Sequence, residues 1–169
     1  FDGCTRLSTV PELPATTVAS ACYTNMFSGC TNLTTAPDLP ATNLARSCYN
    51  GMFSGCTKLT TAPDLPATKL ASSANNCYAN MFSGCKSLTK APNLPATTLS
   101  QNCYADMFAG CTSLKISATQ SSEYPTAWRI PSTGTISSTA KDWNYEMLVN
   151  TGGTFTSAPS INTTYYGAW

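Results

Sequence analysis

The sequence predicts an α/β solenoid, a stack of similar units with a parallel strand ladder on one side and short helices on the other. Three observations predict it. The string Met26-Phe27-Ser28-Gly29-Cys30 returns as Met52 to Cys56, as Met81 to Cys85 and, with Ala109 in place of Ser, as Met107 to Cys111, at spacings of 26, 29 and 26 residues. The rest of the unit recurs in step, as a repeat architecture requires. Finally, 42% of the residues are apolar and only 10% are charged. An apolar content this high, regularly placed, can offset the entropy lost on ordering the chain.

Each element of the unit has its own reason. Leu33-Thr34-Thr35-Ala36 alternates apolar and hydroxylated residues, the pattern of a half-buried strand with Thr outward. Pro37 then ends the ladder, because proline has no amide hydrogen to donate. The segment Leu33 to Thr42 is repeated at Leu59 to Thr68, at Leu88 to Thr97 and more loosely at Leu7 to Thr16. After it, Ala45, Cys48, Tyr49, Met52 and Phe53 follow the three-and-four spacing of a short helix face, and Gly55 supplies a stop. The longer third period comes from extra residues around Ser73-Ala74-Asn75, a loop-sized bulge on one rung. Phe1-Asp2-Gly3-Cys4 is a half copy, so the sequence opens inside a repeat and reads as cut there. One unit cannot bury its own apolar face, whereas stacked copies can. Helices thicker than strands about 4.8 Å apart would bend the stack into an arc.

Residues 1–114 read as regular 26-residue repeats and 115–169 as an atypical end. In the latter, Trp143 to Leu148 fits the Cys-Tyr-x-x-Met-Phe segment, and Phe155 to Ile161 fits Leu-Thr-Thr-Ala-Pro-Asp-Leu. One degenerate capping repeat is therefore expected. A Ser-, Thr- and Pro-rich insertion lies between Leu114 and Lys141, and an aromatic tail follows.

The unit Phe-Ser-Gly-Cys-Thr-x-Leu-Thr-x-Ala-Pro-x-Leu-Pro-Ala-Thr-x-Leu resembles the BspA-like leucine-rich repeats of bacterial surface proteins, whose core is Ala-Phe-x-x-Cys-x-x-Leu. Met-Phe stands here for Ala-Phe. The likeness is strong over residues 1–114 and weak over 140–161. It implies an α/β leucine-rich-repeat solenoid of about five to six rungs. It also implies an extracellular or cell-surface location and a role in display and binding, as in adhesins; similar arrays occur in phage-type fibres.

Composition excludes several functions. Nine Lys plus Arg against eight Asp plus Glu leave a net charge of +1, too little to gather nucleic acid or anionic lipid. No histidine is present, which removes the usual general base and the commonest metal ligand. No run of eighteen or more apolar residues exists, so no membrane insertion is expected. Neither a cofactor nor a catalytic constellation is expected, and the chain reads as non-enzymatic. The recurring Leu-Pro-Ala-Thr segments resemble a sortase signal but lack the following Gly, and they read as turns.

Nine cysteines invite a disulfide framework. Cys22 and Cys30 are eight residues apart, about 12 Å along a helix, beyond disulfide reach. Columns of free, buried thiols are the simpler packing solution. Stacking also aligns Glu12, Asp38, Asp64 and Asn93, whose mutual repulsion a cation would relieve. As turn residues just after or near proline they read instead as solvated, and no metal site is assigned. The column Thr9, Thr35, Thr61 and Lys90 lies on the strand face, where solenoids bind. Rings gather at the end of the chain: Tyr124, Trp128, Trp143, Tyr145, Tyr165, Tyr166 and Trp169. Trp143 and Tyr145 suit core shielding; Tyr165, Tyr166 and Trp169 suit contact with a ligand. The candidate binding residues are thus Thr35, Thr61, Lys90, Tyr165, Tyr166 and Trp169. The expected partner is a protein or glycan of a host or neighbouring cell, with oligomeric state left open. The rival reading is a passive spacer or stalk, including part of a phage-type fibre.

Overall fold

A computed structural model describes residues 1–70, 72–130, 135–136 and 142–169. The repeats stack layer on layer, but they do not form the α/β leucine-rich-repeat solenoid expected above. The described residues contain no α-helix, only a 3-10 turn at Ser72–Ala74. Nor do the described residues form a continuous parallel ladder. Among the described residues, parallel pairing is reduced to the single-residue bridges Thr17↔Asn43, Thr35↔Thr61, Thr61↔Lys90 and Lys69↔Thr98, and to one two-residue pair, β1 (Thr98–Leu99) with β4 (Thr135–Ile136). The one larger sheet is antiparallel: β2 (Ile116–Ser117), β3 (Thr126–Arg129) and β5 (Thr164–Gly167), in the order β2-β5-β3.

The segment expected to be helical is a run of turns, and its hydrogen bonds show why. Amides at alternate positions reach the next layer: Tyr49 to the Cys77 carbonyl at 3.0 Å, Gly51 to Ala79 at 2.8 Å, Phe53 to Met81 at 2.9 Å and Gly55 to Ser83 at 2.7 Å. The amides between them close tight local turns, Asn50 on Ser47 at 3.2 Å and Met52 on Tyr49 at 3.2 Å. An α-helix would spend every one of these amides within its own segment. Every fourth residue also has a positive φ: Ser47, Gly51 and Gly55 in one layer, Asn76, Asn80 and Gly84 in the next, then Asn102, Asp106 and Gly110. A right-handed helix excludes that conformation, which Gly, Asn and Asp tolerate best. The apolar pattern is therefore a repeat of four, with Cys48-Tyr49, Met52-Phe53 and Cys56 turned inward and all buried.

Tight turns of constant geometry bring identical side chains into register. Phe1, Phe27, Phe53, Phe82 and Phe108 form one column of parallel rings with centroids 5.6–5.7 Å apart. A second column, Tyr23, Tyr49, Tyr78 and Tyr104, repeats at 5.7–5.9 Å. Leu33, Leu59, Leu88 and Leu114 are fully buried in the same core, while Leu7 and Phe155 are only partly covered. The glycine of each Phe-x-Gly-Cys string is called for by its positive φ and not by crowding. A Cβ on Gly84 would meet the Gly55 backbone at 3.8 Å, so the glycines too lie one above another.

At the C-terminal end the stack changes character. Residues 142–151 still continue it, since Phe108 donates to the Met147 carbonyl at 3.0 Å and Gly110 to Val149 at 2.8 Å. The ring columns, however, are closed edge-on: Trp143 against Tyr104 at 78° and Trp128 against Phe108 at 77°. The antiparallel sheet packs there, with Trp128, Ile130 and Tyr165 in the core. The insertion between Leu114 and Lys141 contributes β2 and β3; residues 131–134 and 137–141 lie outside the described residues.

Candidate binding surfaces

Bridging places Thr35, Thr61 and Lys90 in one line across three layers, and all three are exposed. Each borders a depression. Thr35 and Thr9 line a groove of about 710 Å³ together with Pro11, Pro14, Pro37 and Pro40 and the acids Glu12 and Asp38. Thr61 and Lys90 line its smaller neighbour of about 160 Å³, with Asp64, Pro92 and Asn93. The prolines that interrupt backbone pairing thus also supply rigid apolar walls, since the ring fixes φ and carries no amide hydrogen. The aligned Glu12, Asp38 and Asp64 stand on this band as exposed residues. Among the described residues, no group of three or more His, Cys, Asp or Glu is arranged to hold a metal ion.

The aromatic tail forms part of the terminal sheet. Tyr165 is buried on β5, its ring 4.6 Å from that of Phe155, and its hydroxyl accepts the Ser160 amide at 2.8 Å. Tyr166 pairs with Ser117 on one side and Ala127 on the other. Trp169 is half-buried against the core, over Gly167, and its carbonyl accepts the Thr126 hydroxyl. Of the six candidate residues, the structure brings Thr35, Thr61 and Lys90 together and places Tyr165, Tyr166 and Trp169 in the terminal sheet. Tyr145, assigned from sequence to core shielding, is instead 53% exposed.

The cysteines form part of the stacking scaffold. Cys56 donates its thiol hydrogen to the Phe27 carbonyl at 3.0 Å, Cys85 to Phe53 at 3.1 Å and Cys111 to Phe82 at 3.0 Å, each reaching the preceding layer. Burial pushes the thiol of Cys48 up to about 11 and those of Cys56, Cys103 and Cys111 up to about 12. That is the reverse of what a nucleophilic cysteine needs. The helical spacing used to keep Cys22 from Cys30 does not apply, because the segment between them is a run of turns. Cys4 and Cys22, at the opening of the stack, are exposed.

A third depression, of about 360 Å³, lies on the turn face. It crosses four layers and is lined by Asn50, Asn76, Asn80, Asn102, Asp106, Asp142 and Tyr145. Sequence reasoning missed it. The legible signal was the four-residue spacing of Asn76-Asn80 and Asn102-Asp106, residue types that accept positive φ, which the helical reading obscured.

No family model, curated protein or solved structure matches this chain.

Proposed function

We propose that the chain is a non-enzymatic recognition module, secreted or displayed at a cell surface, that binds an exposed segment of a partner protein along the Thr35–Thr61–Lys90 band. The observation that carries this reading is the alignment of three exposed polar side chains across successive layers, each beside a proline-lined depression. Proline walls offer apolar contact at low conformational cost, and Glu12, Asp38 and Asp64 add an acidic margin suited to basic side chains of a bound segment. The 710 Å³ groove falls within the size range of ordinary binding clefts. Against catalysis stand the absence of histidine and the raised thiols. The motif likeness to BspA-like surface repeats favours display. No helix among the described residues is long and apolar enough to cross a membrane.

The test is binding of the whole chain to a panel of purified extracellular-matrix proteins, compared with the double variant Thr61→Arg/Lys90→Glu. Both positions are exposed, so folding is expected to be unchanged. A loss of affinity of about tenfold or more in the variant fits a contact surface. Equal binding by both forms would remove the band as the site, and failure to bind any protein of the panel would favour the spacer.

A further inference from the structure

We propose that the turn face carries a second, separate site, for a neutral extended oligosaccharide, in the groove lined by Asn76, Asn80, Asn102, Asp106, Asp142 and Tyr145. The proposal does not depend on the protein-binding band, which lies elsewhere on the stack. It begins with the backbone. Asn76, Asn80, Asn102, Asp106 and Asp142 all have positive φ, and this requirement alone would be met by glycine, as it is by Gly51 in the layer before Asn80. Side-chain amides and carboxylates are nonetheless concentrated here, over three consecutive layers. One asparagine of the stack outside the groove, Asn32, is occupied with structure, donating to the Thr5 carbonyl at 2.8 Å and accepting from Lys58 at 2.7 Å. The side chains of Asn76, Asn80 and Asn102 line the groove and make no hydrogen bond to another described residue.

The chemistry of this lining selects a class of ligand. An amide presents a donor and an acceptor side by side, and a carboxylate presents two acceptors. Together they match the adjacent hydroxyls of a sugar ring. Tyr145, 53% exposed at one end of the groove, offers a flat ring face for stacking a pyranose. Asp106 and Asp142, with Glu146 nearby, repel phosphate, sulfate and uronate groups, so the sugar carries no anionic substituent. Asp106 is already raised above the ordinary carboxyl value by partial burial and by Glu146. The groove runs along the stack, whose layers repeat at 5.6–5.9 Å as judged by the ring columns. That step is close to the length of one sugar unit in an extended chain, so successive units meet successive layers.

Calorimetric titration of the whole chain with β-linked glucose, β-linked N-acetylglucosamine and α-linked mannose tetrasaccharides tests the proposal. At least one should bind saturably, and about tenfold more tightly than its monosaccharide, because several layers contribute. Tyr145→Ala should weaken that binding by about tenfold. Asn80→Gly, which keeps the left-handed backbone and removes the amide, should weaken it several-fold, while Thr61→Arg/Lys90→Glu should leave it within about twofold. Circular dichroism of each variant checks the fold. No saturation at millimolar sugar, undiminished affinity in both turn-face variants, or loss of affinity in the band variant would each overturn it.

Discussion

The layers of the stack and its C-terminal end solve the same problem in opposite ways. In the layers, every apolar ring lies flat on its equivalent, and alternate amides are handed to the next repeat. At the end, Trp128 and Trp143 meet the last Phe and Tyr edge-on, and an antiparallel sheet replaces the turns. A parallel ring leaves another open face behind it, so a column of parallel rings has no internal reason to stop. An edge-on indole presents no equivalent face to a further layer. Trp128 also fixes its own position by donating its indole N–H to the Pro92 carbonyl at 3.0 Å. Repetition builds the core, and a break in repetition closes it.

The largest effect is expected from deleting residues 162–169, which removes β5, the central strand of the terminal sheet. Loss of buried Tyr165 and of both sheet pairings should cost more than about 3 kcal/mol and lower the melting temperature by many degrees. A near-unchanged melt would show that the stack closes without the sheet. Next comes Phe82→Leu, in the middle of the stacked column, where lost ring contact and imperfect filling should cost about 1–3 kcal/mol. The same change at Phe1, 54% exposed, should cost far less; equal costs at both positions would mean that stacking depth is irrelevant.

The thiols give a pH-dependent version of the same contrast. Thiols ordinarily ionise at 9.0, and burial holds Cys56, Cys103 and Cys111 near 12. A folded-state value above the unfolded one means that the native chain retains protons the unfolded chain has lost. Stability from these groups is therefore complete below pH 9 and falls from there toward pH 12. Urea midpoints measured between pH 7 and pH 11 should decline above pH 9, and a flat profile would contradict the burial. A thiol reagent should modify Cys4 and Cys22 rapidly in the native chain and the seven buried cysteines only on unfolding.

The smallest effect is expected from Asp106→Asn. Burial and Glu146 raise the Asp106 carboxyl, so its ionised form is disfavoured in the fold. Asparagine, which also suits a φ of 54°, should raise the melting temperature slightly at pH 7. The gain should vanish below the ordinary carboxyl range, where Asp106 is neutral in both states. A destabilised variant at pH 7 would mean that the carboxylate is held by a contact other than its like-charged neighbour.

Much of the architecture was legible in the sequence, and some was not, for identifiable reasons. Identical residues recurring every 26 to 29 positions, such as Phe27, Phe53, Phe82 and Phe108, had to be brought together, because a unit this short leaves its apolar face bare. The inward positions Cys48, Tyr49, Met52 and Phe53 were equally plain. Over nine residues, however, a period of 3.6 and a period of four select nearly the same positions. Apolar spacing alone could not separate a helix from a chain of turns. Asn76, Asn80 and Gly84 carried the distinction, as residues suited to positive φ at every fourth place.

The sequence by itself determined which residues are stacked, that the core is shared between repeats, and that Thr35, Thr61 and Lys90 stand in one line. Periodicity fixes all three, because each is a statement about equivalence between units. Only the tertiary structure decided where the backbone hydrogen bonds go, how the stack ends, and that Tyr165 is buried while Tyr145 is exposed. Those outcomes depend on partners distant in the chain. An amide satisfied by the next layer need not be satisfied by its own segment, and that choice, made between layers, is what replaced the helix with turns and opened the polar groove beside them.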